Sequence, residues 1–240
     1  MPWSDLSMAG LDLETTSTDP EHAQIVTACV GLQTGQGWTA QTWLLRQSAR
    51  IPAEATAIHG ITTEYANTHG KDSAAALTQV RDALYQHWSE GHPVVTFSAP
   101  YDLTVLDRNL RRAGLGGLEI RGPILDPRVI DKEVDRYRKG RRQLGDVCAR
   151  YGIRLTSSEA HHADTDARAA CSLTRKLGAS RPPQSNSPLG ARPLADIHAW
   201  QADAYRTAMI EFADYRRQQG QPLDDANGEW PLREFAGMAR

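Results

Sequence analysis

The chain is expected to fold as an α/β domain, a mixed central β-sheet flanked by α-helices, with a C-terminal helical extension. Three observations lead there. The stretch up to about Arg50 carries three short runs rich in Val, Ile, Leu, Thr and Trp, broken by Gly, Asp and Pro. From Pro93 onward short apolar runs alternate with patterns of helical period, as layers of sheet and helix do. After Gly178 the composition turns to Pro and Ser before helical periodicity resumes.

Taken in order, Met8 to Leu13, Gln24 to Leu32 and Gly37 to Leu45 read as strands close enough in succession for an antiparallel meander. Pro52 to His59 and Ser73 to Trp88 read as helices, and Pro93 to Phe97 as a short apolar strand of the buried kind. Pro100 suits a first helical position and Gly114 a stop. Leu103, Leu106 and Leu110 recur at three and four residues, so a helix runs from about Pro100 to Ala113. Ile124-Leu125 is a further short strand. Gln143 to Tyr151 and Ala163 to Leu177 are helical, the latter with Ala163, Ala167, Ala170, Thr174 and Leu177 on one face.

Residues 1–178 are therefore the main domain. Ala179 to Pro193 holds four prolines and three serines and reads as an extended linker over 179–193. In the extension 194–240, Leu194 to Arg217 is an amphipathic helix with Leu194, Ile197, Ala204, Tyr205, Ala208, Phe212 and Tyr215 roughly on one side. Packing back onto the domain is the preferred use of that face, and a partner-binding helix the alternative.

The totals exclude several classes. With 240 residues, 40% apolar and 23% charged, the chain buries a full core and is not disordered. No apolar run approaches the length of a membrane span, and Met1 to Gly10 lacks the basic start and apolar middle of a secretory signal, so no membrane role is expected and a cytoplasmic location is the default. Cys29, Cys148 and Cys171 are far apart and embedded in apolar patterns, which points to core packing rather than disulfides or a zinc knuckle. A net charge of -2 argues against coating nucleic acid by overall charge, but an enzyme needs only a local basic patch.

The chemistry starts at Asp12 and Glu14. Side chains alternate along a strand, so Leu11 and Leu13 point to one face while Asp12 and Glu14 share the other. Two adjacent carboxylates repel and raise one another's pKa unless a divalent cation neutralises them, and hard cations such as Mg2+ or Mn2+ choose oxygen ligands. An exposed strand edge also carries such pairs, so partners are required. Asp102 supplies one: it lies in the first turn of the helix after the Pro93 to Phe97 strand, at the strand's carboxyl end and near a positive helix terminus. In His161-His162-Ala163-Asp164-Thr165-Asp166 a loop histidine precedes a helical aspartate by five residues. Asp166 borders the apolar face rather than the solvated back of its helix. In that fragment alone, Asp164 could be merely an N-cap and His161 an ordinary surface residue.

The order of these groups, strand Asp-x-Glu, then strand-to-helix Asp, then loop His and helix Asp, resembles the DnaQ-like (DEDDh) 3′-to-5′ exonucleases. The resemblance covers about Met8 to Leu177, and the fragments Ile58-His59-Gly60-Ile61-Thr62 and Gln143-Leu144-Gly145-Asp146 support it. It implies a ribonuclease H-like fold, with Asp12, Glu14, Asp102 and Asp166 holding two divalent ions, Mg2+ or Mn2+, and His161 as the base that activates water. Two ions about 4 Å apart polarise a scissile phosphate and stabilise the departing oxygen. The family spacing matches His161, and not His162, with Asp166. Asp164 could act as a weak decoy for metal. One departure stands at Ser98-Ala99-Pro100-Tyr101-Asp102, where the family commonly has Asn at the Ser98 position: the aspartate is kept, while a shorter hydrogen-bonding group replaces the amide.

For substrate, the resemblance implies that Glu14, Thr15 and Thr16 meet the terminal 3′ hydroxyl and that Leu13 and His59 frame the last nucleotide, beside Tyr101 of the same motif. For His59 a helix-terminal structural role is the alternative. Arg136-Tyr137-Arg138-Lys139-Gly140-Arg141-Arg142 is the best basic patch, and Arg138 and Arg141 are its candidate phosphate contacts; a cation-rich loop is otherwise merely solvated. The expected partners are DNA or RNA 3′ ends. The preferred reading is removal of nucleotides from single-stranded or frayed DNA in proofreading or repair. A 3′ exoribonuclease is the runner-up, since 2′-hydroxyl recognition leaves no mark in this sequence. A non-catalytic subunit docking on a DNA polymerase or replication partner is the third, and retention of all five expected catalytic side chains counts against it.

Overall fold

In the computed structural model, which describes residues 2–156, 160–182, 187–223 and 226–237, the early apolar runs form a meander. Strand β1 (Met8–Thr15) pairs antiparallel with β2 (Ile25–Gln33), and β2 with β3 (Trp38–Leu44). Strand β4 (Val94–Val95) joins the other edge of β1 in parallel, and β5 (Ile124–Leu125) joins β4 in parallel. The sheet order β3-β2-β1-β4-β5 puts β1 in the middle, and a mixed sheet results as expected. Parallel neighbours require long crossovers, and helices supply them.

Those helices are α1 (Ala53–His59), α2 (Thr63–His69), α3 (Ser73–Ser89), α4 (Ala99–Arg112), α5 (Pro127–Val134), α6 (Leu144–Arg150), α7 (Ala163–Gly178) and α8 (Leu194–Gln218). Two of them, α2 and α5, have no counterpart in the apolar periodicity because both are short and set by their caps. The Thr62 hydroxyl accepts the Tyr65 N–H at the start of α2. Asp126 accepts the N–H groups of Arg128 and Val129 at the start of α5, with Pro127 at its first position. Strand β1 runs past Leu13 through Thr15, across a register shift between Glu14 and Thr15. The buried run after Pro93 keeps only two residues as strand.

Alternation along β1 divides the molecule. Ala9, Leu11 and Leu13 pack with Leu77, Val80 and Leu84 of α3 and Leu103, Leu106 and Leu110 of α4. Each fully buried Leu among them contributes on the order of 1.5–3 kcal/mol. The opposite face, carrying Gly10, Asp12 and Glu14, is covered by α7. Gly10 is what lets that helix come close: a Cβ there would lie 2.9 Å from the Ala167 carbonyl oxygen and 2.9 Å from the Cys171 sulfur. All three cysteines are buried and free, so they serve as small core residues.

Helix α8 lies against the far edge of the sheet. Gln201, fully buried, donates to the Ile124 carbonyl and accepts the Asp126 N–H, and His198 Nδ1 accepts the Ile124 N–H, so side chains of α8 satisfy the free edge of β5. The apolar side of this helix thus packs on the chain's own domain at Ile197, Ala204 and Ala208, which are buried, whereas Tyr215 toward its end is exposed. Part of the expected linker, 183–186, lies outside the described residues. Further along, Leu189 is buried and its carbonyl accepts the indole N–H of Trp3, so this part is anchored rather than extended. The tail 226–237, for which the sequence offered no pattern, folds back over α4: Arg108 donates to the carbonyls of Arg233 and Glu234, and the Arg233 N–H reaches the Thr104 hydroxyl. Among the described residues no helix is long and apolar enough to cross a membrane.

Candidate active site

Three elements bring four carboxylates together, beginning with the face of β1 that carries Asp12 and Glu14. Helix α7, brought close by Gly10, sets Asp166 beside them, and the first turn of α4, leaving the end of β4, sets Asp102 there. Three of the carboxylates are buried: Glu14 is 9% exposed, Asp102 4% and Asp166 8%. Asp12 stands among them. Burial, together with the charges of Asp102, Asp166 and Glu14, pushes Asp12 well above the usual carboxylate range. Burial and the charge of Asp166 push Glu14 up to about 7. Burial likewise pushes Asp102 up to about 8; the Thr96 hydroxyl, donating to Asp102 Oδ2 at 2.6 Å, opposes this, while the charges of Asp126 and Glu14 add to it. Burial raises Asp166 as well, against the His161 N–H that donates to its Oδ2 at 3.0 Å.

Packing four acids together in this way is costly without a counter-charge. Asp166 Oδ1 is buried without a hydrogen-bond partner among the described residues, and ligand atoms of Glu14, His161 and Asp166 lie within 4.8 Å of one another. An all-oxygen set of buried, mutually repelling carboxylates with an orphaned oxygen fits a hard divalent cation. A second His and carboxylate group, His87, Glu90 and His92, lies at the end of α3 and is mixed in donor type.

His161 is exposed and stands at φ 64°, in the left-handed region, held there by its own N–H bond to Asp166. A non-glycine residue kept in that region marks a position fixed by its surroundings. His162 is the N-cap residue of α7 without a side-chain cap bond. Asp164 is neither a cap nor in the acid cluster: its Oδ1 accepts the Trp38 indole N–H at 2.8 Å and a weak bond from the Cys29 thiol, which takes it up structurally.

The expected substrate residues divide. Thr15 is partly exposed at the end of β1, and its hydroxyl bonds the Tyr101 hydroxyl, which also donates to the Ser17 carbonyl. Burial pushes the Tyr101 phenol up to about 12, so it stays a neutral donor. His59 is buried at the end of α1; its Nδ1 accepts the Ile61 N–H, which leaves the proton on Nε2, and Nε2 has no partner among the described residues. Burial and the neighbouring charge of His161 both lower its pKa, so it too stays neutral. The histidine therefore combines the helix-terminal role with a free donor near His161.

Three others are otherwise engaged. The Leu13 side chain belongs to the core against α3 and α4, because alternation turns it away from Asp12. The Thr16 hydroxyl accepts the Gln24 N–H as the chain turns between β1 and β2. Arg138 donates to the fully buried Asp131 at 2.6 Å, a carboxylate it shares with Arg142. In the basic segment Arg141 is exposed, and so is Tyr137.

Sequence reasoning missed Thr96 and Asp126, which surround Asp102. Asp126 accepts the N–H groups of Ser98 and Ala99 as well as those of α5, and so ties the end of β5 to the turn that presents Asp102. Asp-Pro at a helix start was the available signal. Ser98 itself stands at φ 76° and its hydroxyl accepts from Arg128 at 3.0 Å.

Comparison with known proteins agrees with this geometry. The family model described as "Exonuclease" matches residues 10–174. Among solved structures, Exonuclease I from Methylocaldum szegediense is 19% identical with a TM-score of 0.57, over 71% of this chain and 40% of that one. E. coli Exonuclease I in complex with a dT13 oligonucleotide is 14% identical, TM-score 0.58, over 72% and 41%. The zinc-bound form of an E. coli Exonuclease I complex with single-stranded DNA is 13% identical, TM-score 0.60, over 83% and 43%. The chain thus spans about two-fifths of the length of these structures, and at such identities the likeness shows the fold. No curated protein matches the chain significantly. With its ribonuclease H-like mixed sheet and a family match from the middle of β1 into α7, the chain belongs to the DnaQ-like (DEDDh) exonuclease family.

Proposed function

We propose that the protein removes nucleotides one at a time from the 3′ end of single-stranded or frayed DNA, by hydrolysis that depends on Mg2+ or Mn2+. The observation that carries this is the convergence of Asp12, Glu14, Asp102 and Asp166, four acids raised by burial or mutual repulsion, with His161 at their rim. These four carboxylates would hold two divalent ions. When bound, the ions supply charge neutralisation at the scissile phosphate and make water a better nucleophile.

The remaining work falls to the chain itself. His161, tethered to Asp166 through its backbone N–H, accepts the proton of the attacking water on its imidazole. Its unusual backbone conformation orients the ring toward the acids, whose ligand atoms lie within its reach. The Thr15 and Tyr101 hydroxyls, bonded to one another and to the Ser17 carbonyl, close the end of β1, and the free Nε2–H of His59 offers a neutral donor to the terminal nucleotide. Neutral donors suit this place because they orient a substrate without adding charge to a crowded site. The exposed Arg141 and Tyr137 supply a phosphate contact and a stacking face further out.

Single-stranded DNA is preferred as substrate because structural neighbours bind DNA oligonucleotides, and RNA is the competing reading. Proofreading or repair trimming is the role this activity would serve. The deciding experiment digests DNA and RNA oligonucleotides with free or blocked 3′ ends in Mg2+ or Mn2+, with and without chelator, beside Asp12→Ala. Loss of substrate only with metal, a free 3′ end and intact Asp12 is expected; turnover by Asp12→Ala or in chelator would overturn the proposal.

A further inference from the structure

The carboxylates lie between two hollows. The smaller, about 230 Å3, is lined by Glu14 and His161 on the side of β2 and β3. The larger, about 440 Å3, opens on the other side of Tyr101 and Ser98, between α5, α8 and the C-terminal tail. One wall comes from residues outside the family match: Ala204, Tyr205, Ala208 and Phe212 of α8, and Arg233 of the tail. Ala204 and Ala208 are one helical turn apart, and their small side chains leave the room that Tyr205 and Phe212 line.

The Arg233 Nε is buried without a partner among the described residues, and Lys132 lies within the charge of Glu133 and Glu211 without a close ion pair to either. Burial pushes the Lys132 ammonium below its usual range, with Glu211 and Glu133 opposing and Arg136 and Arg142 adding to the effect. Of the two acids in the lining, Asp126 is already satisfied by the N–H groups of Ser98, Ala99 and Arg128, which leaves Glu133 against Lys132, Arg128 and Arg233. Burying cations without partners is unfavourable. A hollow of one-nucleotide scale lined by Tyr205 and Phe212 and by more cations than free acids has the chemistry of a single-strand subsite, where bases stack and phosphates meet charge.

We propose that this hollow binds the strand on the 5′ side of the scissile phosphate, one unpaired nucleotide deep, so that α8 and the tail are part of the substrate site. The inference rests on the exonuclease reading above. Tyr101 connects the two: it lines the hollow and bonds Thr15 next to Glu14. A base still paired in a duplex could not enter, so the subsite favours unpaired ends.

The test compares two substrates. The p-nitrophenyl ester of thymidine 5′-phosphate presents one nucleotide and nothing upstream, whereas oligothymidylates of increasing length fill the hollow. The wild type should gain in kcat/KM from the ester to the dinucleotide, whose upstream nucleotide fills the hollow, and change little with further length. Lys132→Gln combined with Arg233→Gln should lower the ratio of long-oligonucleotide to ester efficiency by about 10-fold or more, mainly through KM, as loss of two charged contacts implies. Phe212→Ala, at a partly exposed position, should lower the same ratio by about 5-fold and serves where the double variant melts early. Unchanged length dependence in both variants overturns the subsite, as does an equal loss on ester and oligonucleotide. If the wild type hydrolyses neither substrate in Mn2+, the exonuclease reading fails first, and the two failures are distinguishable.

Discussion

Glu14→Gln should stabilise the metal-free protein in alkaline solution while disabling it. The Glu14 carboxyl is raised from 4.5 to about 7, first by burial and then by the charge of Asp166. Because its folded pKa lies above the unfolded one, its contribution to stability is fully present below about pH 4.5 and is lost as pH rises through about 7. The rise corresponds to about 3 kcal/mol of stability lost by pH 9. Glutamine keeps the shape and removes the charge, and it also removes one of the charges that raise Asp12 and Asp102. For a chain of this size about 3 kcal/mol is roughly 6–12 °C in melting temperature. Thermal melts in chelator at pH 9 should show Glu14→Gln melting above the wild type by that order, with the gap closing toward pH 4.5. Saturating Mn2+ should reverse the order, since ligand bound only by the folded state adds about 2.7 kcal/mol at a hundred times its Kd. A variant that melts below the wild type at pH 9 without metal would refute the reasoning that these acids are held in mutual repulsion.

Other consequences are as direct. His161→Ala should lower kcat by roughly 10²–10⁴-fold, the usual contribution of a general base, while His162→Ala stays within a few-fold; the reverse result in steady-state turnover would move the base to His162. Ser98→Asn should raise stability by up to about 1 kcal/mol in urea unfolding, because asparagine tolerates the φ of 76° better than serine. Gln201→Leu should cost about 2–4 kcal/mol in the same assay, since it strands the Ile124 carbonyl and the Asp126 N–H at the edge of β5.

Much of this was legible in the residues, for physical reasons. Long periodic patterns such as α7 and α8 announce themselves, and alternation along β1 puts Asp12 and Glu14 on the face opposite Leu11 and Leu13. Short elements are read differently: α2 and α5 depend on single capping side chains and carry no period, whereas β4 and β5, two residues each and too short for alternation, were legible as apolar runs between breaks. Spacing brought His161 and Asp166 together on paper, but the left-handed backbone at His161 and its N–H bond to Asp166 are tertiary facts. Arg138 shows the opposite error: a cation in a basic run invites a phosphate, and only the fold reveals that Asp131 is buried beneath it. The tail after α8 was illegible because its packing rests on a few polar contacts to α4 and carries no period.

Digestion of a 5′-labelled single strand in water enriched in 18O, with Mn2+ present, tests most directly whether the carboxylate cluster is a hydrolytic 3′-to-5′ centre. The expected products are a ladder shortening from the 3′ end and nucleoside 5′-monophosphates carrying one 18O in the phosphate, both abolished by chelator and by Asp12→Ala. Internal fragments, 3′-phosphorylated nucleotides or turnover that survives either treatment would contradict it.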